Sequence, residues 1–491
     1  MKLYLRGHDD RYAVEQLQLA LFPDEPMEPV DAPFTGDGAI SSLSAGTTYL
    51  TASAKITLGG RTAYAQRRMK TAQADVASRR RLLQNAYYAA ALELREAPQW
   101  GSLSGVRPTK LTTRHLLAGG DKKSADRLLK ELYHVSPERR RLCVEASLAT
   151  VQAAKCLREN DISLYIGIPF CPTRCSYCSF VSASVEKLQK LLPDFLQALE
   201  REIEHVGRLV KASGKCVRTI YIGGGTPTTL STAQIQRLMR VIAGNFDLTE
   251  LIEYTVEGGR PDTLSMEKLK AIFDGGCDRM SINPQTMNDS VLECIGRRHS
   301  SEQTVNAYRD ALQAGFQGIN MDLIAGLPSD TPESFADSLE RVLSLAPSNI
   351  TVHTLALKKG ADLFFERFRL PTAQEVSQML SYAEKRLRES GYAPYYLYRQ
   401  KYMSGSFENV GWCKPGFIGR YNIYMMEEIH SIFAVGAGAV SKMVKYPSAA
   451  GEKPVIRRLF NQKYPYEYLR EDRSAALCDS YREFYREYYD L

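Results

Sequence analysis

The chain has 491 residues, 44% of them hydrophobic and 24% charged, with a net charge of +7. That length accommodates two or three domains with sizeable cores, and the composition is that of a soluble globular protein. Ten cysteines in 491 residues exclude a disulfide scaffold, no apolar run reaches transmembrane length, and the opening MKLYLRGHDD turns charged too early for a signal peptide.

Residues 1–160 read as an N-terminal α+β domain. Met1 to Arg6 has the pattern of a short strand, and TTYLTASAKITLGGRTAYAQ (47–66) that of a hairpin turning at Gly59–Gly60. Residues 71–97 and 121–159 recur at helical spacing. Between them WGSLSGVRPTKLTTRHLL, Trp100 to Leu117, reads as a loop. Arg107 and Lys110 could hold an anion there, or the loop could simply be packed by its Trp. Arg67–Arg68, Arg79–Arg81 and Arg139–Arg141 form basic clusters. They fit solvated helix faces, or a face for a polycarboxylate or nucleic acid.

The period changes at Leu164. Six apolar strands follow: 163–170, 219–227, 251–259, 279–286, 316–328 and 349–358, each trailed by a helical stretch such as Thr232–Gly244 or Ser301–Ala314. Alternating strands and helices predict a parallel sheet with outer helices over residues 161–365, and six units are fewer than a full barrel's eight. From residue 366 to 491 the chain turns aromatic and is expected to form a mostly helical domain covering the open side.

The first strand runs into CPTRCSYCSF (171–180). Cys171, Cys175 and Cys178 have the C-x3-C-x2-C spacing of a metal site. Structural zinc takes four ligands, and neither His nor a fourth Cys stands nearby. A cubane iron–sulfur cluster takes one thiolate per iron, so three thiolates leave one iron open to a ligand. A zinc knuckle or chance core cysteines is the bland alternative. A reducing, cytoplasmic location suits such thiols. Other polar residues also cluster at strand ends, where parallel folds place their chemistry. Gly223–Gly224–Gly225–Thr226–Pro227 lets backbone approach a ligand. Glu257 fits ribose hydroxyls, or else a salt bridge to Arg260. Asp322, if buried there, needs a partner such as Arg297 or a ligand.

The cysteine motif resembles the radical S-adenosylmethionine (radical SAM) superfamily, and GGGTP resembles that superfamily's contact to the methionine amino group. YIGIPFC, CSYCSF, YIGGGTPT, GRRH, MDLIAGLP and GAGAVS, in this order, resemble the oxygen-independent coproporphyrinogen III oxidase family over about residues 160–445. The long N-terminal extension is similar to its coproporphyrinogen dehydrogenase branch, the HemZ type. The resemblance implies a partial (β/α)6 TIM-like radical SAM barrel and an α/β fold class. It implies a 4Fe–4S cluster on Cys171, Cys175 and Cys178. Tyr165, Gly224, Glu257 and Val440 match positions that hold the S-adenosylmethionine that is cleaved. Tyr177, Gly225, Thr226, Gln285, Arg297, Asp322 and Ala356 match a second S-adenosylmethionine site of the family's oxidase. The implied reaction is oxidative decarboxylation of coproporphyrinogen III to protoporphyrinogen IX in heme biosynthesis. A 5′-deoxyadenosyl radical takes hydrogen from each propionate, and loss of carbon dioxide and one electron leaves a vinyl group. The implied partners are a tetrapyrrole substrate and a reducing electron donor such as flavodoxin or ferredoxin. Nucleic acid is not an expected partner, and no residue is assigned as catalytic.

Two positions depart from the family's patterns. Phe180 stands where the oxidase has a fourth cysteine, as in the heme-chaperone branch. That branch carries HNxxYW, whereas this chain has Tyr421, Asn422, Ile423, Tyr424, Met425 and Met426. A heme chaperone binding through Tyr, Met or His430, or a radical SAM protein acting on another tetrapyrrole, is the competing reading.

Overall fold

The computed structural model describes the chain except residues 23–24, 26, 104, 174, 179–182, 185–187, 357–367, 401–406, 446–453, 471–478, 480–481 and 484–491. Phe180, the end of the sixth predicted strand and most of the tyrosine-rich tail lie outside the described residues. The chain divides into two compact units: Met1–Val144 with Arg399–Phe407, and Glu145–Tyr398 with Glu408–Leu491.

The first unit is built on a five-stranded sheet, β1 (Lys2–Arg6), β2 (Glu28–Val30), β3 (Gly38–Ala45), β4 (Tyr49–Leu58) and β5 (Arg61–Lys70), in the order β2-β1-β3-β4-β5. The β4–β5 hairpin turns at Gly59 and Gly60, whose φ values of 56° and 76° are those of a type I′ turn. Alternate residues of β4, Leu50, Ala52, Ala54 and Ile56, are buried. They pack with Leu82, Leu83, Ala86 and Tyr87 of the helix Val76–Ala91. The stretch expected as a loop differs in its second half, where Thr109–Leu117 is helical. Pro108 presets φ for a helix start, and no further Gly or Pro interrupts the run. Trp100 is buried, with the Arg399 guanidinium 5.3 Å from its ring centroid.

The second unit contains the six predicted strands as β6 (Asp161–Ile168), β9 (Cys216–Gly224), β10 (Glu253–Glu257), β11 (Arg279–Ser281), β12 (Gly318–Ala325) and β13 (Asn349–Thr354). All pair in parallel in that order. The short β7 (Phe170–Cys171) and β8 (Ala183–Ser184) pair with each other beside them. Helices Leu192–Ala212, Thr232–Asn245, Met266–Asp274, Ser301–Ala314 and Pro332–Leu345 fill the crossovers. Their starts are written locally: Ser231 with Gln234 and Ser300 with Gln303 form capping boxes, and Gly315 ends its helix at φ 115°.

The register sorts the strand residues by polarity. Tyr165 pairs with Tyr221, Glu257 with Ser281, Ser281 with Asn320 and Asp322 with Thr351, so these polar residues share one face. Ile166, Ile222, Val256, Met280, Met321 and Val352 are buried on the opposite face, and a fully buried side chain of this size contributes about 1.5–3 kcal/mol. The helices therefore seal an apolar outside around a polar interior, which is a partial barrel. To the expected C-terminal helices, Ala373–Glu389 and Arg420–Glu427, the structure adds β14 (Ala393–Arg399), β15 (Glu408–Cys413), β16 (Ser431–Gly436), β17 (Val440–Lys445) and β18 (Val455–Phe460). They extend the sheet at both edges, in the order β14-β15-β13 on one side and β6-β16-β17-β18 on the other. Among the described residues no helix is long and apolar enough to cross a membrane.

Candidate functional site

The cysteine loop leaves the carboxyl end of β6 and is held at three points. The amide of Gly225 donates to the Ile168 carbonyl at 2.8 Å, and that of Thr226 to Phe170 at 2.7 Å. These bonds bring the glycine turn after β9 against the strand leading to Cys171, and the Thr226 hydroxyl lies 3.4 Å from the Cys171 sulfur. A Cβ at Gly225 would stand 2.5 Å from the Phe170 carbonyl oxygen, so the approach requires glycine. In the middle of the loop, Arg260 Nη1 donates to the Thr173 hydroxyl at 2.5 Å. Near its end, the Ser176 amide and hydroxyl both donate to the Ile295 carbonyl at 3.2 Å. Tyr177 packs on an apolar cluster that includes Leu292, Ile324 and Leu327.

Arg260 overturns the alternative given for Glu257. It is buried and forms a two-pronged ion pair with Asp262, at 2.9 and 2.7 Å, rather than a salt bridge with Glu257. The planar fork matches a carboxylate two residues away, which frees Nη1 for the cysteine loop. Glu257 instead accepts from the Tyr221 hydroxyl at 2.5 Å and from the Gly224 amide at 3.3 Å. Burial pushes its carboxyl up to about 7, against the downward pull of the Tyr221 hydrogen bond.

Asp322 corrects an expectation. It accepts from Asn320 Nδ2 at 2.7 Å and stands 3.6 Å from His353 Nε2, not beside Arg297. Burial works to raise its pKa, but the bonds and charge from His353, Asn320 and Thr351 outweigh it and the carboxyl is held low. Arg297 reaches the carbonyls of Asn283 at 2.8 Å and Gly259 at 3.5 Å, tying two strand ends together. Its buried Nε has no partner among the described residues. Gln285 adopts φ 69° and extends the sheet beyond β11: its amide donates to Asp322 O and its carbonyl accepts from Ile324 N, both at 2.9 Å. Ala356 follows the end of β13 and Val440 opens β17; both are half-buried.

Sequence reasoning missed a wall of tyrosines. Tyr165, Tyr221 and Tyr421 stack nearly parallel inside the barrel, with centroids 4.5 Å apart for Tyr221–Tyr421 and 6.3 Å for the other two pairs. Tyr421 is placed by Glu253, whose carboxylate accepts from the Arg420 and Tyr421 amides at 2.6 and 3.0 Å and so caps their helix. The signal available for Tyr221 was its even spacing from Gly223, on the strand face that carries Tyr165. Tyr421 stood out in the sequence only at the His position of the chaperone's HNxxYW pattern, and nothing there placed it beside a strand 200 residues away.

A match to the radical SAM superfamily model spans residues 165–342. The chain is 40% identical over 352 residues to the oxygen-independent coproporphyrinogen-III oxidase-like protein HemZ of Bacillus subtilis, covering 70% of each. It belongs to the oxygen-independent coproporphyrinogen III oxidase family of radical SAM proteins. A family relative of other name, the heme chaperone HemW of Lactococcus lactis, is 33% identical over 282 residues, 56% of this chain and 68% of that one. The solved coproporphyrinogen III oxidase HemN of Escherichia coli superposes with a TM-score of 0.52 at 26% identity, over 68% of this chain and 73% of its own.

The superfamily uses a 4Fe–4S cluster and S-adenosylmethionine, and the donor set here fits them. Among the described residues no three His, Cys, Asp or Glu side chains converge on one metal-ion position. Three partly exposed thiols on one loop suit separate irons of a cluster. The glycine cradle beside Cys171 and the hydrogen-bonded carboxylate of Glu257 suit an amino acid and a ribose.

Proposed function

We propose that this protein carries out the oxygen-independent oxidative decarboxylation of coproporphyrinogen III to protoporphyrinogen IX. Each propionate would become a vinyl group with loss of carbon dioxide and two hydrogens, twice per molecule. In this reading Cys171, Cys175 and Cys178 hold the cluster. Tyr165, Gly224, Glu257 and Val440 hold one S-adenosylmethionine, and Tyr177, Gly225, Thr226, Gln285, Arg297, Asp322 and Ala356 hold a second. Together, when bound, the cluster and S-adenosylmethionine supply one-electron, hydrogen-abstracting chemistry. The chain supplies position: Tyr221 and Gly224 orient the two oxygens of Glu257, and Arg260 holds the cysteine loop. The tyrosine wall lines the barrel interior beside them. A reducing donor of the flavodoxin or ferredoxin kind would deliver electrons.

The observation that carries this reading over the chaperone is Tyr421. It occupies the His position of the chaperone's HNxxYW pattern, and its phenol ring, buried in a stack on Tyr221, is not the imidazole ligand that pattern supplies. His430 is no substitute. It is buried at the amino end of β6, with Nε2 2.6 Å from the Ser163 hydroxyl, and burial lowers its pKa to about 3. The HemW relationship nonetheless supports heme binding as the second reading. Anaerobic incubation of the reconstituted protein with coproporphyrinogen III and S-adenosylmethionine, followed by product mass analysis, tests the proposal. The expected product has lost carbon dioxide and two hydrogens once, then twice. Uncoupled 5′-deoxyadenosine with unchanged substrate, together with stoichiometric heme binding, would replace it with the second reading.

A further inference from the structure

Residues 1–144 hold 22 Lys and Arg against 15 Asp and Glu, so the chain's whole excess of +7 lies there. No acidic residue occurs between Asp37 and Asp75, a span with five basic ones. That span is β3, β4 and β5, the antiparallel half of the first unit's sheet. One face of this sheet packs on its helices. The other carries the residues left over by the alternation: Lys55 across from Tyr64, Thr51 from Arg68 and Tyr49 from Lys70, with Arg6 sharing the face on β1 across from Ser42. Arg6, Lys55, Arg68 and Lys70 are exposed. Tyr64 is 61% and Tyr49 47% exposed. Among the described residues no carboxylate pairs with any of those four cations. Glu28, on the edge strand β2, is the acidic side chain of this face.

We propose that this open sheet face binds single-stranded RNA. Three strand spacings separate β1 from β5, about 14 Å, so the cations are spread in two dimensions rather than gathered into a pocket. A small polycarboxylate needs convergent charges in a concavity; a phosphate chain is matched by charges spaced along its path. The exposed tyrosines offer faces on which unpaired bases stack, and a flat sheet presenting aromatic rings is a platform suited to single strands. Hydroxyls at Ser42, Thr51 and Ser53 between the cations can exchange hydrogen bonds with ribose 2′-hydroxyls. Its aliphatic side chains, Ile40 and Val30, are only partly exposed, so the face does not offer the broad apolar surface with which a protein enters a lipid surface. This inference is independent of the barrel's chemistry.

The test is fluorescence anisotropy of the full-length protein with a labelled 20-nucleotide single-stranded RNA over a salt series. Lys55→Glu, Arg68→Glu and Tyr64→Ala are compared with the wild type. All three side chains are exposed, so circular dichroism and iron content should stay as in the wild type. Expected is binding whose log K falls with log salt at a slope of about −2 to −3, as for three or four phosphates. Each charge reversal should weaken it about tenfold or more, and Tyr64→Ala several-fold with the slope unchanged. The proposal is overturned by no binding, by equal affinity for duplex or for heparin, by binding to anionic vesicles or an acidic redox protein instead, or by face variants that bind as the wild type does.

Discussion

Glu257 shows what one residue contributes. Its carboxyl is pushed up to about 7 by burial, and it becomes a full acceptor only above that pH. As a carboxylate it accepts from the Tyr221 hydroxyl and the Gly224 amide, and in the proposed function its remaining lone pairs accept from a ribose. S-adenosylmethionine affinity, measured by anaerobic calorimetry, should therefore strengthen as pH rises from 6 to 8. Glu257→Gln should bind more weakly and lose the pH dependence; a variant that retained the slope would place the titrating group elsewhere. The presence of a carboxylate at this strand end was legible from the sequence. Its partner was not, because Arg260 is three residues away and the nearer-looking pair, yet the chain turns at Gly258–Gly259 and aims the guanidinium at Thr173.

At the scale of elements, the cysteine loop is a short irregular segment whose shape comes from its neighbours. Gly225, Thr226, Arg260 and Ile295 belong to three different βα turns, and all hold it. The buried guanidinium is the strongest of these ties, since charge-assisted hydrogen bonds contribute about 1.5–3 kcal/mol. Arg260→Gln and Thr173→Val should each speed loss of iron to a chelator about tenfold. Arg260→Lys should restore only part of the retention, because an ammonium cannot serve Asp262 and Thr173 with the same planar fork. Iron release at wild-type rates in Arg260→Gln would show the loop to be held without it. The loop's spacing stands in ten consecutive letters. The ties are spread over 125 residues and become visible only when the turns are brought to one end of the sheet.

At the scale of the molecule, the parallel core is lengthened at both edges by C-terminal strands, and His430 sits at one such junction, between β6 and β16. Burial lowers its pKa to about 3 against an ordinary 6.5, so between these values the unfolded chain binds a proton that the folded one refuses. The stability present above pH 6.5 is lost as pH falls through this window, by at most about 1.4 kcal/mol per unit from this one group. Urea unfolding at pH 7.5 and 5.0 should show a smaller acid loss in His430→Gln than in the wild type. Equal losses would mean that other groups carry the acid sensitivity.

The amino-acid sequence by itself determined the order of strands and helices in the barrel, the β4–β5 hairpin and the cysteine triad. Alternating apolarity, capping residues and ligand spacing act over a few residues and need no distant partner. The tertiary structure decided which carboxylate meets which cation, how the tyrosines stack, and that C-terminal aromatic runs join the sheet as strands. It also decided that the N-terminal arginines and lysines share a face with tyrosines. Each of these depends on strand register and on contacts between residues far apart in the chain, where a shift of a single residue would turn every side chain to the opposite face.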